Sequence, residues 1–225
     1  CLPMTRRVYV IESIVFLLVL IPSMGFLTLG GPADRLGFPV VAVAIVLHNI
    51  TLTALALYLV WRNGDGLPAV GWRRRGILRE ALIGAALFVP LFFGIAIVQS
   101  LLHFAGLPEP TPPPSFLLPR SGADYALALA LLVVVAVSEE TVFRGYLFLR
   151  FTQATGSRLA AVLASSALFA LGHAYEGLLG VVAVGVIGLA FALVYLWRGS
   201  LVAPMTMHFI QNFIGLLIAP KFLTG

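Results

Sequence analysis

Charge is what this sequence has least of. Only 10% of its 225 residues are Asp, Glu, Lys or Arg, while 60% are hydrophobic. A soluble globular domain is about 25% charged and about 45–50% apolar. A water-soluble fold of this size could not hide so much apolar surface. That excludes a soluble enzyme, a nucleic-acid binder and a disordered chain. It predicts an all-α, polytopic membrane helix bundle. Lysine is nearly missing as well: Lys221 is the single lysine among 14 basic residues. The arginines are dispersed in short loops, so the formal net charge of +5 fits the positive-inside rule and not a nucleic-acid partner. The one cysteine, Cys1, excludes an intramolecular disulfide.

Several catalytic signatures are also missing. There is no H-E-x-x-H, which excludes a zincin-type helix. There is no G-x-S-G of the serine rhomboid kind, and no set of H-x-x-x-H boxes as in membrane desaturases. Asp65 lies in a loop, in Asn63-Gly64-Asp65, so it does not mark an aspartyl-protease span. No cysteine nucleophile lies within a span.

What is present is a series of seven apolar runs near the roughly 20 residues that a span needs. They are Val8–Leu29, Pro39–Trp61, Ile77–His103, Asp124–Phe151, Ser157–His173, Leu178–Trp197 and Leu201–Ile218. About seven transmembrane helices are therefore expected, in a single domain over 1–225. Pro22 and Pro90 fall inside runs and should kink them. The chain opens on Cys1, not Met, so a fragment or processed form is expected, with Met4-Thr5-Arg6-Arg7 as a start-like segment. Arg6 and Arg7 before an apolar run also resemble a signal peptide. The run is too long and lacks an A-x-A site, so it reads as a retained first span.

Loop charges set the expected orientation. Arg6, Arg7, Arg62, the Arg73-Arg74-Arg75 run, Arg150, Arg158 and Arg198 fall on one face by alternation. Asp34, Arg35, Glu109, Arg120 and Glu176 fall on the other. The arginine face is expected to be cytoplasmic, with the N-terminus inside, in a bacterial cytoplasmic membrane. Trp61, Trp72 and Trp197 each precede an arginine, as an interfacial belt would. The segment Leu107–Arg120 carries Pro108, Pro110, Pro112, Pro113, Pro114 and Pro119, so it cannot be a regular helix. It is expected to be an extended loop on the arginine-poor face.

Polar groups deep in a bilayer are costly and usually functional. Glu12, one to two turns past Arg7, can snorkel to the interface. His48 and Asn49, near the centre of the second run, could hydrogen-bond between helices. His103 closes the third run at the interface. The fourth run differs, for it contains Ser138-Glu139-Glu140-Thr141-Val142-Phe143-Arg144-Gly145. Glu140 and Arg144 are i, i+4 and can pair on one face. Glu139 is rotated by about 100° from Glu140 and has no such cation. A carboxylate so placed suits general-base work. The bland reading is an ion-pair network that locks helices together. The fifth run ends in Phe169-Ala170-Leu171-Gly172-His173, and the seventh carries His208 and Asn212, again i, i+4. Measured from the arginine ends of their runs, Glu139 and His173 lie about 18 and 22 Å deep. On the same count His208 and Asn212 lie about 10 and 16 Å deep. These levels are close enough to converge on one buried polar site.

E-E-x-x-x-R, F-x-x-x-H and H-x-x-x-N, in that order on successive spans, resemble the CPBP family. This is the CAAX-protease and bacteriocin-processing, or Abi, family of intramembrane proteases. The motifs here are Glu139-Glu140 to Arg144, Phe169 to His173 and His208 to Asn212. They cover residues 124–218, the CPBP-like part of the chain; residues 1–123 carry no signature and no assigned role. The resemblance implies hydrolysis of a peptide bond inside the membrane. It implies that Glu139 activates the attacking water, His173 helps position it, and His208 and Asn212 stabilise the oxyanion. Glu140 completes that catalytic set, with Glu140 and Arg144 holding the helix and tuning the field, and Phe169 in support. The family is called metalloprotease. His173, His208 and Glu139 could form a His₂Glu site for one divalent metal such as zinc, or the same groups could work without metal. The expected partners are membrane lipid and a peptide or lipidated, CAAX-like protein substrate. Two other classes compete: a catalytically silent membrane scaffold, and a proton-coupled small-solute carrier. The filled motif positions weigh against the first, and the absence of an inverted repeat against the second.

Overall fold

The computed structural model describes residues 5–24, 36–73, 76–108, 111 and 113–220. Met4, Asp34, Arg35, Arg74, Arg75, Glu109, Pro110, Pro112 and Lys221 lie outside them, as does the expected end of the first run over 25–29. The described residues form helices and turns, with no strand among them. Seven helices follow the seven apolar runs. They are α1 (Arg6–Met24), α2 (Phe38–Arg62), α3 (Ile77–Phe104), α4 (Gly122–Thr155), α5 (Arg158–Leu171), α6 (Gly177–Arg198) and α7 (Val202–Ile218).

Only α1, α2, α3, α4 and α6 are long and apolar enough to cross a membrane by themselves. The expected polytopic bundle of seven helices is present, with α5 and α7 as shorter apolar helices. At 14 residues, α5 is about 21 Å long, against a hydrocarbon core of about 30 Å. It stops early because the chain turns at Gly172–Gly177, where Gly177 takes a φ of +77°.

Local signals explain the helix starts. Ser121 accepts a hydrogen bond from the Asp124 amide at 3.1 Å, while the Asp124 carboxylate accepts from the Ser121 amide at 3.0 Å. This capping box satisfies two of the amides a helix start leaves unpaired. Ser157 caps α5 in the same way, accepting from the Ala160 amide.

The helices alternate, so one end of the bundle gathers the start of α1, α3, α5 and α7 and the end of α2, α4 and α6. We call it the arginine end. There Arg198 donates two hydrogen bonds to Glu80, at 3.0 and 2.6 Å, and Arg6 donates to the Ala154 carbonyl. Glu12 does not snorkel. It is buried and accepts from Arg150 Nε at 2.6 Å, Asn63 Nδ2 at 2.6 Å and the Tyr146 hydroxyl at 3.0 Å. Arg150 also donates to Asp65 at 2.7 Å and to the Leu59 carbonyl at 3.2 Å. This network fixes α1 to α4 and to the end of α2, and it is the locking role that sequence alone gave to buried charge. Phe16 and Leu20 of α1 and Leu52, Ala56 and Val60 of α2 pack with Val142, Phe143, Tyr146 and Leu147 of α4 in one apolar cluster. The large side chains left exposed, such as Leu18, Leu78, Leu82, Phe93 and Leu101, form a surface suited to lipid.

A short segment seals the arginine end. Leu67–Val70 form a 3₁₀ turn, and Val70 is fully buried. Its carbonyl lies 2.9 Å from where a Cβ would sit on Gly145, so only glycine permits this approach. Gly71 takes a φ of +82° and accepts from the Leu201 amide at 3.1 Å. The Trp72 indole then donates to the Thr141 hydroxyl at 3.2 Å. Trp72 is thus tied into the bundle, whereas Trp61 and Trp197 stand exposed as a belt should.

Candidate functional site

The centre of α4 departs from α geometry. Thr141–Leu147 form a π-helical stretch, and every residue in it is buried. Such bulges interrupt the regular ladder and occur often at functional sites. The stretch begins immediately after the Glu139-Glu140 doublet and contains Arg144.

Glu140 and Arg144 pair as their spacing predicted. Arg144 Nη1 donates to Glu140 Oε1 at 2.9 Å, with both side chains fully buried. Arg144 Nη2 donates to the Gly188 carbonyl of α6 at 3.1 Å. Its guanidinium carbon lies 4.1 Å from the Phe169 ring centroid and 5.4 Å from that of Phe191. Desolvating a charge is costly, and these bonds and ring faces offset that cost. They also explain Phe169: it covers the cation with one face and stands edge-on to His208 at 5.8 Å.

The same Glu140 oxygen lies 2.8 Å from His208 Nδ1. The carboxylate that pairs with Arg144 is an acceptor, so Nδ1 carries the proton and donates it. That fixes the ring and turns Nε2 toward Glu139 Oε2, 3.8 Å away. Glu139 differs from its neighbour in the way the helix rotation predicted. It has no cation of its own, its Oε2 has no hydrogen-bond partner among the described residues, and its side chain keeps about a fifth of its exposure. His173 sits just past the end of α5. Its Nδ1 lies 2.9 Å from the Phe169 carbonyl. A carbonyl only accepts, so Nδ1 donates, and Nε2 has no hydrogen bond among the described residues.

A cavity of about 1350 Å³ joins these groups, and all seven helices contribute to its wall. Glu139, His173, His208 and Asn212 line it; Glu140 and Arg144 do not. Four of the five residues expected to form the catalytic set are therefore brought to one chamber. Glu140 stands behind it and touches it only through His208. His48 and Asn49 also line the chamber. Asn49 donates to the Ile45 carbonyl of its own helix at 3.0 Å, so it does not make the interhelical bond expected of it. Gln99, Tyr175, Glu176 and Gln211 line the chamber as well, and sequence reading passed over them. Glu176 was assigned to a surface loop. The signal that could have corrected this is the pair of glycines, Gly172 and Gly177, which lets the chain turn inward beside His173. The Glu176 carbonyl accepts from the Thr111 amide at 3.0 Å, tying the proline-rich segment to this turn. That segment holds a short 3₁₀ turn, Ser115–Leu117, whose Phe116 is buried.

The metal expectation was tested on the donor set. Among the described residues, no three His, Cys, Asp or Glu side chains stand close enough together to hold a metal ion. Glu139 and His208 form a pair that His173 does not join. The residues do not fit a His₂Glu site, and no chemical step is routed through a metal.

These features define a class: a membrane-embedded helical bundle with a buried carboxylate–histidine–asparagine chamber. Comparison with protein families then finds that residues 121–214 match the family described as type II CAAX prenyl endopeptidase Rce1-like. The match covers somewhat under half of the chain. It holds all three motifs, is consistent with the CPBP resemblance, and supports a membrane endopeptidase as the general activity. No curated protein and no solved structure matches the chain.

Proposed function

We propose that this protein hydrolyses a peptide bond of a membrane-associated or prenylated, CAAX-like protein or peptide, with Glu139 as the base. The observation that carries this reading is the pairing of Glu139 Oε2 with His208 Nε2 at 3.8 Å, at the wall of a chamber large enough for a peptide. Two acceptor atoms at that separation leave a place for a water that bonds to both. Glu139 takes a proton from this water as its oxygen adds to the carbonyl carbon. His173, through Nε2, holds the water or the substrate beside it. The carbonyl oxygen becomes an oxyanion, and the Asn212 amide donates to it. His208 Nε2 accepts a hydrogen bond from the second O–H of the water and holds the resulting hydroxyl against the carbonyl carbon. Glu139 then returns its proton to the departing amine. Glu140 acts through His208 and is a positioning residue, with Arg144 and Phe169 holding it in turn.

The test is cleavage of a mixed library of prenylated and unmodified peptides by the purified protein, read by mass spectrometry. Wild type and Glu139→Ala are run side by side. Products from wild type alone are expected. Equal products from both overturn the assignment of the base, and no product from either shifts the weight to a silent scaffold or a carrier.

A further inference from the structure

The place between Glu139 and His208 belongs to two helices. Glu139 is on α4 and His208 on α7, and Oε2 and Nε2 stand 3.8 Å apart. That gap depends on how α4 sits against α7. One contact that fixes it is inside the site, where Glu140 bonds His208. A second lies outside the site, in the connection between α2 and α3.

Leu67–Trp72 of that connection touches both helices at once. It grips the π stretch of α4 at two points. The Trp72 indole donates to Thr141 Oγ1 at 3.2 Å, and that hydroxyl donates to the Val137 carbonyl at 2.7 Å. Thr141 follows Glu140 directly. About one turn further on, the Val70 carbonyl stands 2.9 Å from where a Cβ on Gly145 would be. The hold on α7 is the Gly71 carbonyl, which accepts from the Leu201 amide at 3.1 Å. The buried Leu201 side chain closes the junction. A Cβ on Gly71 would lie 3.1 Å from its Cγ, and one on Gly145 would lie 3.5 Å from its Cδ1. Gly71 takes a φ of +82°, and a Cβ there would come within 2.5 Å of the Tyr195 ring. Packing this close passes a displacement on to its neighbours instead of absorbing it. From Leu201 to His208 is about two helical turns. A misplacement of about 1 Å at a reacting group is enough to cost about 10²-fold in rate.

We propose that Leu67–Trp72 is a positioning element for the attacking water. It braces α4 against α7 and so sets the gap between Glu139 and His208, with Trp72 as its hydrogen-bonded contact nearest the carboxylate doublet. The segment lies outside residues 121–214, which match the family. Its effect on rate rests on the protease reading, whereas the bracing of the two helices does not.

Two readouts keep these apart. The first is a double-mutant cycle on cleavage. Trp72→Phe keeps a ring and loses the N–H, Thr141→Val loses the hydroxyl, and Thr141→Ser keeps it. Trp72→Phe and Thr141→Val are each expected to lower kcat toward the 10²-fold that about 1 Å of misplacement costs, with KM unchanged. The double variant is expected to be no slower than the slower single one, and Thr141→Ser to cut like wild type. A folded Trp72→Phe with the kcat of wild type overturns the proposal. So do losses that multiply in the double variant, or that fall on KM alone. The second readout needs no substrate. Amide hydrogen exchange of the purified protein in detergent is compared between wild type and Gly71→Ala, with Trp72→Phe as the milder variant should Gly71→Ala not fold. Exchange is expected to quicken in Thr141–Leu147 and in residues 201–208 together, and to stay unchanged over Arg158–Leu171 of α5. A change confined to one of the two stretches, or absent from both, overturns the brace. A wild type that cuts no peptide defeats the protease reading and leaves the exchange pattern to decide the brace.

Discussion

Glu139 and Glu140 are adjacent in sequence and opposite in circumstance. Glu140 is fully buried and bonded to Arg144 and His208, so it belongs to the frame. Breaking a buried ion pair by removing one partner costs about 3–5 kcal/mol. Arg144→Met is accordingly expected to lower the unfolding temperature in detergent by several degrees, and Arg150→Met to do the same by stranding Glu12. Glu139→Gln keeps the shape of the side chain and removes only the base. It is expected to leave the melting temperature within a degree or two of wild type and to abolish cleavage. Purified protein is also expected to cut its substrate after extensive chelation, because no three donors are gathered for a metal. Loss of activity on chelation with recovery on adding zinc would contradict that. The different pairing of the two carboxylates was legible in the sequence, because i, i+4 spacing to Arg144 singles out Glu140. The link from Glu140 to His208 was not, since it depends on how α7 rotates against α4.

At the scale of elements, two glycines make opposite demands. A Cβ on Gly145 would meet the Val70 carbonyl at 2.9 Å, whereas one on Gly94, within α3, would meet nothing within 4 Å. Gly145→Ala must push the sealing segment away, and overpacking of this kind costs about 1–3 kcal/mol. Gly94→Ala adds helix propensity worth up to about 1 kcal/mol. The first is expected to lower the melting temperature and the second to leave it equal or higher, as read by a thermal scan in one detergent. All seven helices could be located from their apolar runs, though the Ser121 cap of α4 was passed over. The shortness of α5 and the π stretch of α4 could not. Both arise from packing: the first from a turn that brings Glu176 inward, the second from Arg144 reaching Gly188 and the two rings. Apolar periodicity does not record either.

For the whole molecule, the family match ends at residue 121 on its N-terminal side, but the chamber does not. Ser23 and Met24 of α1, His48 and Leu52 of α2 and Phe92 and Gln99 of α3 form part of its wall. The first 120 residues thus do work that no motif announced. A fragment beginning at Ser121 is expected to lack a closed chamber, to aggregate on gel filtration and to cut nothing. An active, monodisperse fragment would show that α1, α2 and α3 are dispensable. The account as a whole rests on one claim, that Glu139 activates water inside this chamber. Its most direct test is the rate of peptide cleavage by folded Glu139→Gln against wild type at equal concentration. Removing a general base should slow the reaction by about 10²–10⁴-fold, with the substrate still bound. A variant that cuts as fast as wild type would contradict it.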